Sequence, residues 1–137
     1  MPKVFTSKKQ KIGEVGENIA TRFLMKHGFK IIERNYTKPC GEIDIVAIKS
    51  GKLFFVEVKS ISTFVFGRNE KHGACDSYRP EENIHPLKMR RMARTVQTYL
   101  LQRHVSCETE WQVDLIVIFM NFKDRIARIK VVKDIIL

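Results

Sequence analysis

Hydrophobic residues recur along the chain with two different periods, and these periods separate the predicted helices from the predicted strands. Over residues 11–27 they recur every three or four positions, which predicts an amphipathic helix. Gly28 follows directly and is a common residue for ending a helix. The same period over residues 86–104, with Pro86 in the first turn, predicts a second helix. Its expected buried stripe consists of Met89, Met92, Val96 and Leu100.

Five shorter segments have the hydrophobic, β-branched and aromatic composition of strands. They cover residues 30–36, 41–48, 53–60, 111–120 and 125–132. The sequences TKPCG and KSGK, which separate the first three of these segments, predict turns. Strands interrupted by a helix in this order predict a fold of the α/β class.

The polar remainder of the chain lies mainly at its beginning and in one internal segment. Residues 1–10 are rich in lysine, and we expect them to form a basic flexible arm. Residues 61–85 contain two glycines, a proline and many polar residues, and they predict a long loop. A loop of this length in a compact domain is usually functional or mobile. The total of 137 residues suits one domain spanning the chain.

The second and third predicted strands bring four charged side chains to one face of a hairpin. With residues 50–51 as the turn, antiparallel pairing places Asp44 directly opposite Glu57. Two positions further from the turn, Glu42 lies opposite Lys59. All four point to the same side, because side chains alternate along a strand. The other face is expected to carry a hydrophobic set made of Ile43, Ala47, Phe54, Val56 and Val58.

The pairing of two acids predicts a site for a divalent cation. Carboxylates that face each other across a strand pair repel, and a cation between Asp44 and Glu57 removes the conflict. Mg²⁺ commonly takes one or two carboxylates together with waters and phosphate oxygens. Lys59 would then orient or deprotonate a water molecule, or stabilise a pentacovalent phosphate. The alternative interpretation of the same spacing is an exposed ladder of solvated charges.

For two further carboxylates the sequence gives weaker support for a role in metal binding. Glu17 falls on the border of the apolar stripe of the first helix, and a solvated helix flank is the simpler interpretation of its position. Asp114 lies in the fourth predicted strand, and a structural or exposed carboxylate is favoured there over a metal ligand.

The charge of the chain favours a polyanionic partner. Lysine and arginine total 25 against 15 acidic residues, which gives a net charge of +10. Nucleic acid is the first expectation and an anionic membrane surface the second. A basic run in the second helix is either a solvated face or a set of phosphate contacts, and it consists of Lys88, Arg90, Arg91 and Arg94.

Composition also predicts a cytoplasmic location. No stretch approaches the ~20 apolar residues of a membrane span, and no apolar run follows the basic residues at the N-terminus. The three cysteines are far apart and odd in number, which favours free thiols in a reducing compartment. They are Cys40, Cys75 and Cys107.

Several segments resemble one family when they are taken in order. They are GEVGENIA in the first helix, the hairpin pieces GEIDIVA and FVEVK, the helix start HPLK and the strand VDLIVI. Together they resemble the YraN family of small bacterial proteins. That family is similar to archaeal Holliday junction resolvases and belongs to the PD-(D/E)xK nuclease superfamily. The resemblance covers nearly the whole chain and implies a restriction-endonuclease-like core, a mixed β-sheet of about five strands flanked by α-helices.

The resemblance also implies a set of site residues. Asp44 corresponds to the aspartate of the first motif, and Glu57 and Lys59 correspond to the E-x-K motif. Ile43 replaces the proline in the name of the superfamily, without loss of a ligand. Glu17 corresponds to the helical glutamate of resolvase-like members.

The implied cofactor is Mg²⁺ or Mn²⁺. Its implied ligands are Asp44, Glu57 and the Val58 carbonyl, and Glu17 would bind the ion or its water shell. The implied reaction is hydrolysis of phosphodiester bonds in DNA, with branched or distorted DNA as the expected substrate. A homodimer is compatible with this chemistry, because a junction has two strands to cut.

Two other function classes stay open from the sequence. One is a nucleic-acid-binding protein that keeps the nuclease fold without turnover. The other is an interaction protein whose basic helix binds an acidic partner.

Overall fold

The computed structural model describes residues 8–62, 86–135 and 137, and these residues form a five-stranded sheet with one helix packed on each face. The elements in chain order are α1 (Lys8–Lys26), β1 (Lys30–Lys38), β2 (Gly41–Lys49), β3 (Lys52–Ser62), α2 (Pro86–Gln102), β4 (Trp111–Asn121) and β5 (Ile126–Val132).

The sheet is mixed, as the family resemblance implied. Its strand order is β1-β2-β3-β4-β5, so neighbours in sequence are also neighbours in space. The pairs β1–β2, β2–β3 and β4–β5 are antiparallel. The pair β3–β4 is parallel, and α2 lies in the connection between these two strands. The predicted mixed α/β sheet flanked by helices is therefore confirmed.

Helix α1 is longer at its start than predicted and ends where the sequence indicates. Residues 8–10, expected as part of a flexible arm, are helical, because Lys and Gln are good helix formers and nothing there interrupts the helix. Residues 1–7 lie outside the described part. At the other end Phe29 N–H donates to the Leu24 carbonyl at 3.0 Å, and Gly28 has a φ of 89°. This is a Schellman cap, which needs a left-handed residue at the position of Gly28.

Strand β3 extends further than predicted, into the segment expected to be a loop. Ile61 pairs with Phe119 of β4, and Ser62 pairs with Met120. The parallel partner strand supplies hydrogen bonds to these two residues, which the polar composition of the following segment did not indicate. The remainder of the predicted loop, residues 63–85, lies outside the described residues.

The two faces of the sheet carry separate hydrophobic clusters. On one face α1 packs over a cluster that consists of Ala20, Leu24, Ile45, Ala47, Val56, Ile116, Ile118 and Met120. On the other face α2 packs over a cluster that consists of Tyr36, Ile43, Val46, Leu53, Phe55, Met92, Val96, Tyr99 and Val113. Of the stripe predicted for α2, Met92 and Val96 are buried, whereas Met89 and Leu100 are half-buried.

The predicted alternation of side chains along β2 is wrong at Ile43. This residue was expected to share a face with Ala47, yet it packs in the cluster under α2. Its partner in β1 is Tyr36, which lies in the same cluster under α2. The neighbouring pair, Arg34 with Ile45, is on the other side, because Ile45 packs under α1. Asn35, between these two pairs, has a φ of 54°. Asparagine tolerates this left-handed conformation, and the resulting distortion reverses the side on which the following side chains lie.

Within the described ranges, neither helix combines the length and the apolar composition needed to cross a membrane.

Gly16 sets how closely α1 approaches the sheet, and replacing it with alanine should destabilise the protein. A Cβ at this position would overlap Ser60 Oγ and lie 2.9 Å from Ser60 Cβ. Overpacking of this kind costs about 1–3 kcal/mol. We expect urea unfolding of Gly16→Ala to show a loss in that range.

Gly13→Ala is the matched control, because a Cβ there would meet nothing within 4 Å. Alanine stabilises a helix interior relative to glycine by roughly 0.5–1 kcal/mol, so this variant should gain stability. Equal effects of the two substitutions would contradict the close approach at Gly16.

Candidate active site

The β2–β3 hairpin has the predicted turn and, near the turn, the predicted register. Ser50 and Gly51 have φ angles of 52° and 77°, as a two-residue type I′ turn requires. Backbone pairing then runs in the expected register as far as Ile45 and Val56. The hairpin therefore delivers the next residues, Asp44 and Glu57, to the same end of the strand pair.

Regular pairing stops at these acids. The ladder between β2 and β3 does not include the predicted pair of Asp44 with Glu57 or that of Glu42 with Lys59. Instead, Val58 N–H donates to Asp44 Oδ2 at 2.8 Å. The carboxylate thus takes a backbone donor that a continued ladder would have used, at the position where Asn35 distorts the neighbouring strand. Asp44 is fixed by its own side chain rather than by strand pairing.

The residues predicted as metal ligands and catalytic groups line one cavity. Its volume is about 560 Å³, and it lies between the two helices at the end of the β2–β3 pairing. The charged or predicted ligand residues in its wall are Lys9, Glu17, Asp44, Glu57, Val58, Lys59 and Lys88. The structure therefore brings together all the predicted ligand and catalytic residues, although they come from α1, β2 and β3.

The ionised form of Asp44 is destabilised in this cavity. Only 6% of the residue is exposed. Burial is the largest cause that raises its pKa, to about 8, and the neighbouring charge of Glu57 is the next. The hydrogen bond from Val58 N–H opposes the rise, and the charges of Glu17 and Glu42 add to it to a smaller extent. A buried carboxyl among other carboxylates needs either a proton or a cation.

Glu57 forms an ion pair with Lys88, which the sequence predicted to be a phosphate contact. Lys88 Nζ lies 2.8 Å from Glu57 Oε1, and the Glu57 side chain is only 18% exposed. Burial lowers the pKa of Lys88, but the charge and hydrogen bond of Glu57 outweigh it, and the net shift is upward. Lys88 was predicted as a phosphate contact beside Arg90. At 3.6 residues per turn the two side chains are roughly 160° apart around the helix, a signal available in the sequence.

Glu17 lies at the edge of the helix–sheet contact, as its border position in the pattern indicates. Its side chain is 13% exposed, and its Oε1 lies 3.5 Å from an Arg34 guanidinium nitrogen. Arg34 was not among the predicted site residues. It lies opposite Ile45, which packs under α1, because β1 has a register irregularity between Ile31 and Glu33 that comes before it. The strand pattern alone does not reveal this irregularity.

The remaining basic residues of α2 lie outside the cavity. Arg90, Arg91 and Arg94 are exposed. They do not contribute to the wall of the cavity. Lys59 is also exposed, although it lines the cavity rim.

Asp114 has a structural role. It is buried, and its Oδ1 accepts hydrogen bonds from Gln112 Nε2 at 2.7 Å and from Asp134 N–H at 2.9 Å. Ile135 N–H donates to the Val113 carbonyl at 2.7 Å, directly beside this contact. These bonds hold the segment after β5 against β4, where Ile135 forms part of the cavity wall.

The donor set suits a hydrated Mg²⁺ or Mn²⁺ ion. Among residues 8–62, 86–135 and 137, no three His, Cys, Asp or Glu side chains converge as a ready-made ligand group. The cavity instead offers oxygen ligands, namely the Asp44 and Glu57 carboxylates and the Val58 carbonyl. One or two carboxylates with waters are typical of Mg²⁺, whereas zinc sites use nitrogen and sulfur ligands. The Lys88 ammonium supplies a positive charge to Glu57.

Comparison with known proteins gives a consistent match. The family described as "Uncharacterised protein family UPF0102" matches residues 16–118, which include Glu17, Asp44 and Glu57. A UPF0102 protein of Moorella thermoacetica is 30% identical over 128 residues, which are 93% of this chain and 97% of the relative. A UPF0102 protein of Wolinella succinogenes is 42% identical over 94 residues, which are 69% of this chain and 74% of the relative.

Replacing Asp44 with asparagine should stabilise the metal-free protein at pH 8. The amide keeps the shape of the side chain and can accept the Val58 N–H, but it carries no charge. Because the folded-state pKa of Asp44 is raised from 3.8 to about 8, wild-type stability should fall as pH rises between these values. Each pKa unit corresponds to about 1.4 kcal/mol, so an advantage on the order of a few kcal/mol is expected.

The measurement is urea unfolding with a chelator at several pH values between 4 and 8. The advantage of Asp44→Asn should be near zero at pH 4 and largest at pH 8. Glu14→Gln, at an exposed position of α1, controls for the change in net charge. An advantage that does not change with pH would contradict the buried carboxyl.

Proposed function

The chain belongs to the UPF0102 (YraN) family, and we propose that it is a metal-dependent endonuclease that hydrolyses phosphodiester bonds in DNA. The observation that carries the proposal is the buried Asp44 beside Glu57, in a cavity whose rim also carries Lys59. A structural role for these acids would not require two carboxylates to be enclosed together. A cation-binding role accounts for their shared burial.

The residues of the cavity would have different roles in the reaction. Asp44, Glu57 and the Val58 carbonyl would hold Mg²⁺ or Mn²⁺, and Glu17 would bind the ion or its water shell. The bound cation supplies charge stabilisation at the phosphate and a more acidic water. Lys59 would orient the attacking water or help to deprotonate it, for which its place on the cavity rim is suitable.

The proposed substrate is DNA that is branched or otherwise distorted. Arg90, Arg91 and Arg94 form an exposed basic face on α2, the helix that also borders the cavity. Contacts to phosphates position a protein without reading bases, so we expect selection by DNA shape rather than by sequence. The net charge of +10 favours the same class of partner.

One observation favours a second candidate function, a DNA-binding protein without turnover. Glu57, a required ligand in the first proposal, is paired with Lys88 at 2.8 Å. If this pair is permanent, the cavity holds no catalytic ion, and the basic face alone remains functional.

Cleavage of junction, flap and linear DNA tests the first proposal. With Mg²⁺ or Mn²⁺ the wild-type protein should cut branched DNA in preference to linear DNA. Asp44→Ala and Lys59→Ala should each lower the rate by about 10²-fold or more, since each removes a part of the catalytic group. Lys123→Ala, at an exposed position after β4, should retain the wild-type rate. Cleavage that survives both site substitutions would point to a contaminant or another site.

Binding measured at several salt concentrations tests the basic face. Changing Arg90, Arg91 and Arg94 to glutamine should weaken DNA binding, and it should reduce the slope of log K against log salt by about one per lost contact. The matched triple substitution changes three basic residues exposed just before or within β5, namely Lys123, Arg125 and Arg128. An unchanged slope in the α2 variant would exclude this face as the DNA contact. Binding without cleavage under any metal would select the second candidate.

A further inference from the structure

Lys88 differs from the other basic residues of α2, because its side chain points into the cavity wall and pairs with Glu57. It lies in the first turn of α2, which starts at Pro86, and it lines the cavity. Its Nζ lies 2.8 Å from Glu57 Oε1. Arg90, two residues later, is exposed and does not line the cavity.

The pair joins two side chains of very different exposure. The Glu57 side chain is 18% exposed and the Lys88 side chain is 59% exposed. The carboxylate is thus held within the cavity, while the lysine reaches it from the solvent side. Because the lysine is long and mostly solvated, it can leave at little cost, whereas Glu57 has little room to follow.

We propose that Lys88 is a positioning residue that exchanges between Glu57 and a DNA phosphate, and so links metal binding to DNA binding. The inference rests on the proposed function, because it needs a divalent cation at Asp44 and Glu57. While no such cation is bound, the ammonium neutralises Glu57. A cation at the carboxylates repels the ammonium and releases it at the rim of the cavity, where a substrate phosphate is the available acceptor.

The exchange has a thermodynamic consequence in both directions. DNA that takes up Lys88 leaves Glu57 without its counter-ion, so DNA should tighten metal binding. A metal that displaces Lys88 frees a cation for DNA, so the metal should tighten DNA binding by the same factor. Without Lys88 this part of the coupling disappears.

Mn²⁺ titration of the intact protein without DNA is the test, with the affinity measured by calorimetry. Lys88→Met should bind Mn²⁺ roughly two- to fivefold more tightly than wild type, the range expected for loss of a competing exposed ion pair. Arg90→Met removes one positive charge from the same helix outside the cavity and should raise the affinity less. Lys88→Arg keeps a cation for Glu57 and should bind Mn²⁺ like the wild type.

The same titration with a catalytically inert DNA analogue completes the test. Added analogue should tighten Mn²⁺ binding in the wild type and do so less in Lys88→Met. If Lys88→Met binds Mn²⁺ no more tightly than Arg90→Met, the exchange is overturned while the metal site stands. If wild type and all variants bind no Mn²⁺, the metal site itself is overturned and the exchange with it.

Discussion

The site depends on the burial of one carboxylate at the point where two paired strands stop pairing. Asp44 is held there by the backbone N–H of Val58, and Glu57 lies close enough to raise its pKa. In an ordinary hairpin end, both acids would face water. Here the two helices enclose them, and the resulting electrostatic cost is the feature that a cation-binding function explains.

The two helices contribute to this end of the sheet in different ways. Gly16 lets α1 approach β3 closely enough to bring Glu17 to the cavity. Helix α2 approaches from the other face and inserts Lys88 through its first turn. The sheet therefore supplies two acids, one helix adds a third acid, and the other helix adds a cation. Lys88 neutralises Glu57, whereas Asp44 accepts a backbone N–H, and its pKa is raised by burial and by the neighbouring carboxylate.

Much of this arrangement could be predicted from local sequence patterns. The Ser50–Gly51 turn fixes the register of the hairpin, and the register brings Asp44 and Glu57 to one end. The border position of Glu17 follows from the helical period alone. Such features depend on a few neighbouring residues, so the sequence contains the information needed to find them.

Other features depend on contacts between distant elements, and the patterns did not reveal them. The left-handed Asn35 accompanies the placement of Tyr36 and Ile43 on the face of α2. A register irregularity between Ile31 and Glu33 places Arg34 opposite Ile45, on the face of α1. Strand β3 extends to Ser62 because β4 runs parallel to it. The direction of Lys88 was available from the helical period, but its partner could be known only once α2 was placed beside β3.

The most direct test of the central claim is a crystal structure of the protein soaked in Mn²⁺. The account predicts an anomalous density peak between the Asp44 and Glu57 carboxylates, with Lys88 moved away from Glu57. A well-ordered cavity without a peak, with Lys88 still paired to Glu57 at a saturating Mn²⁺ concentration, would contradict it.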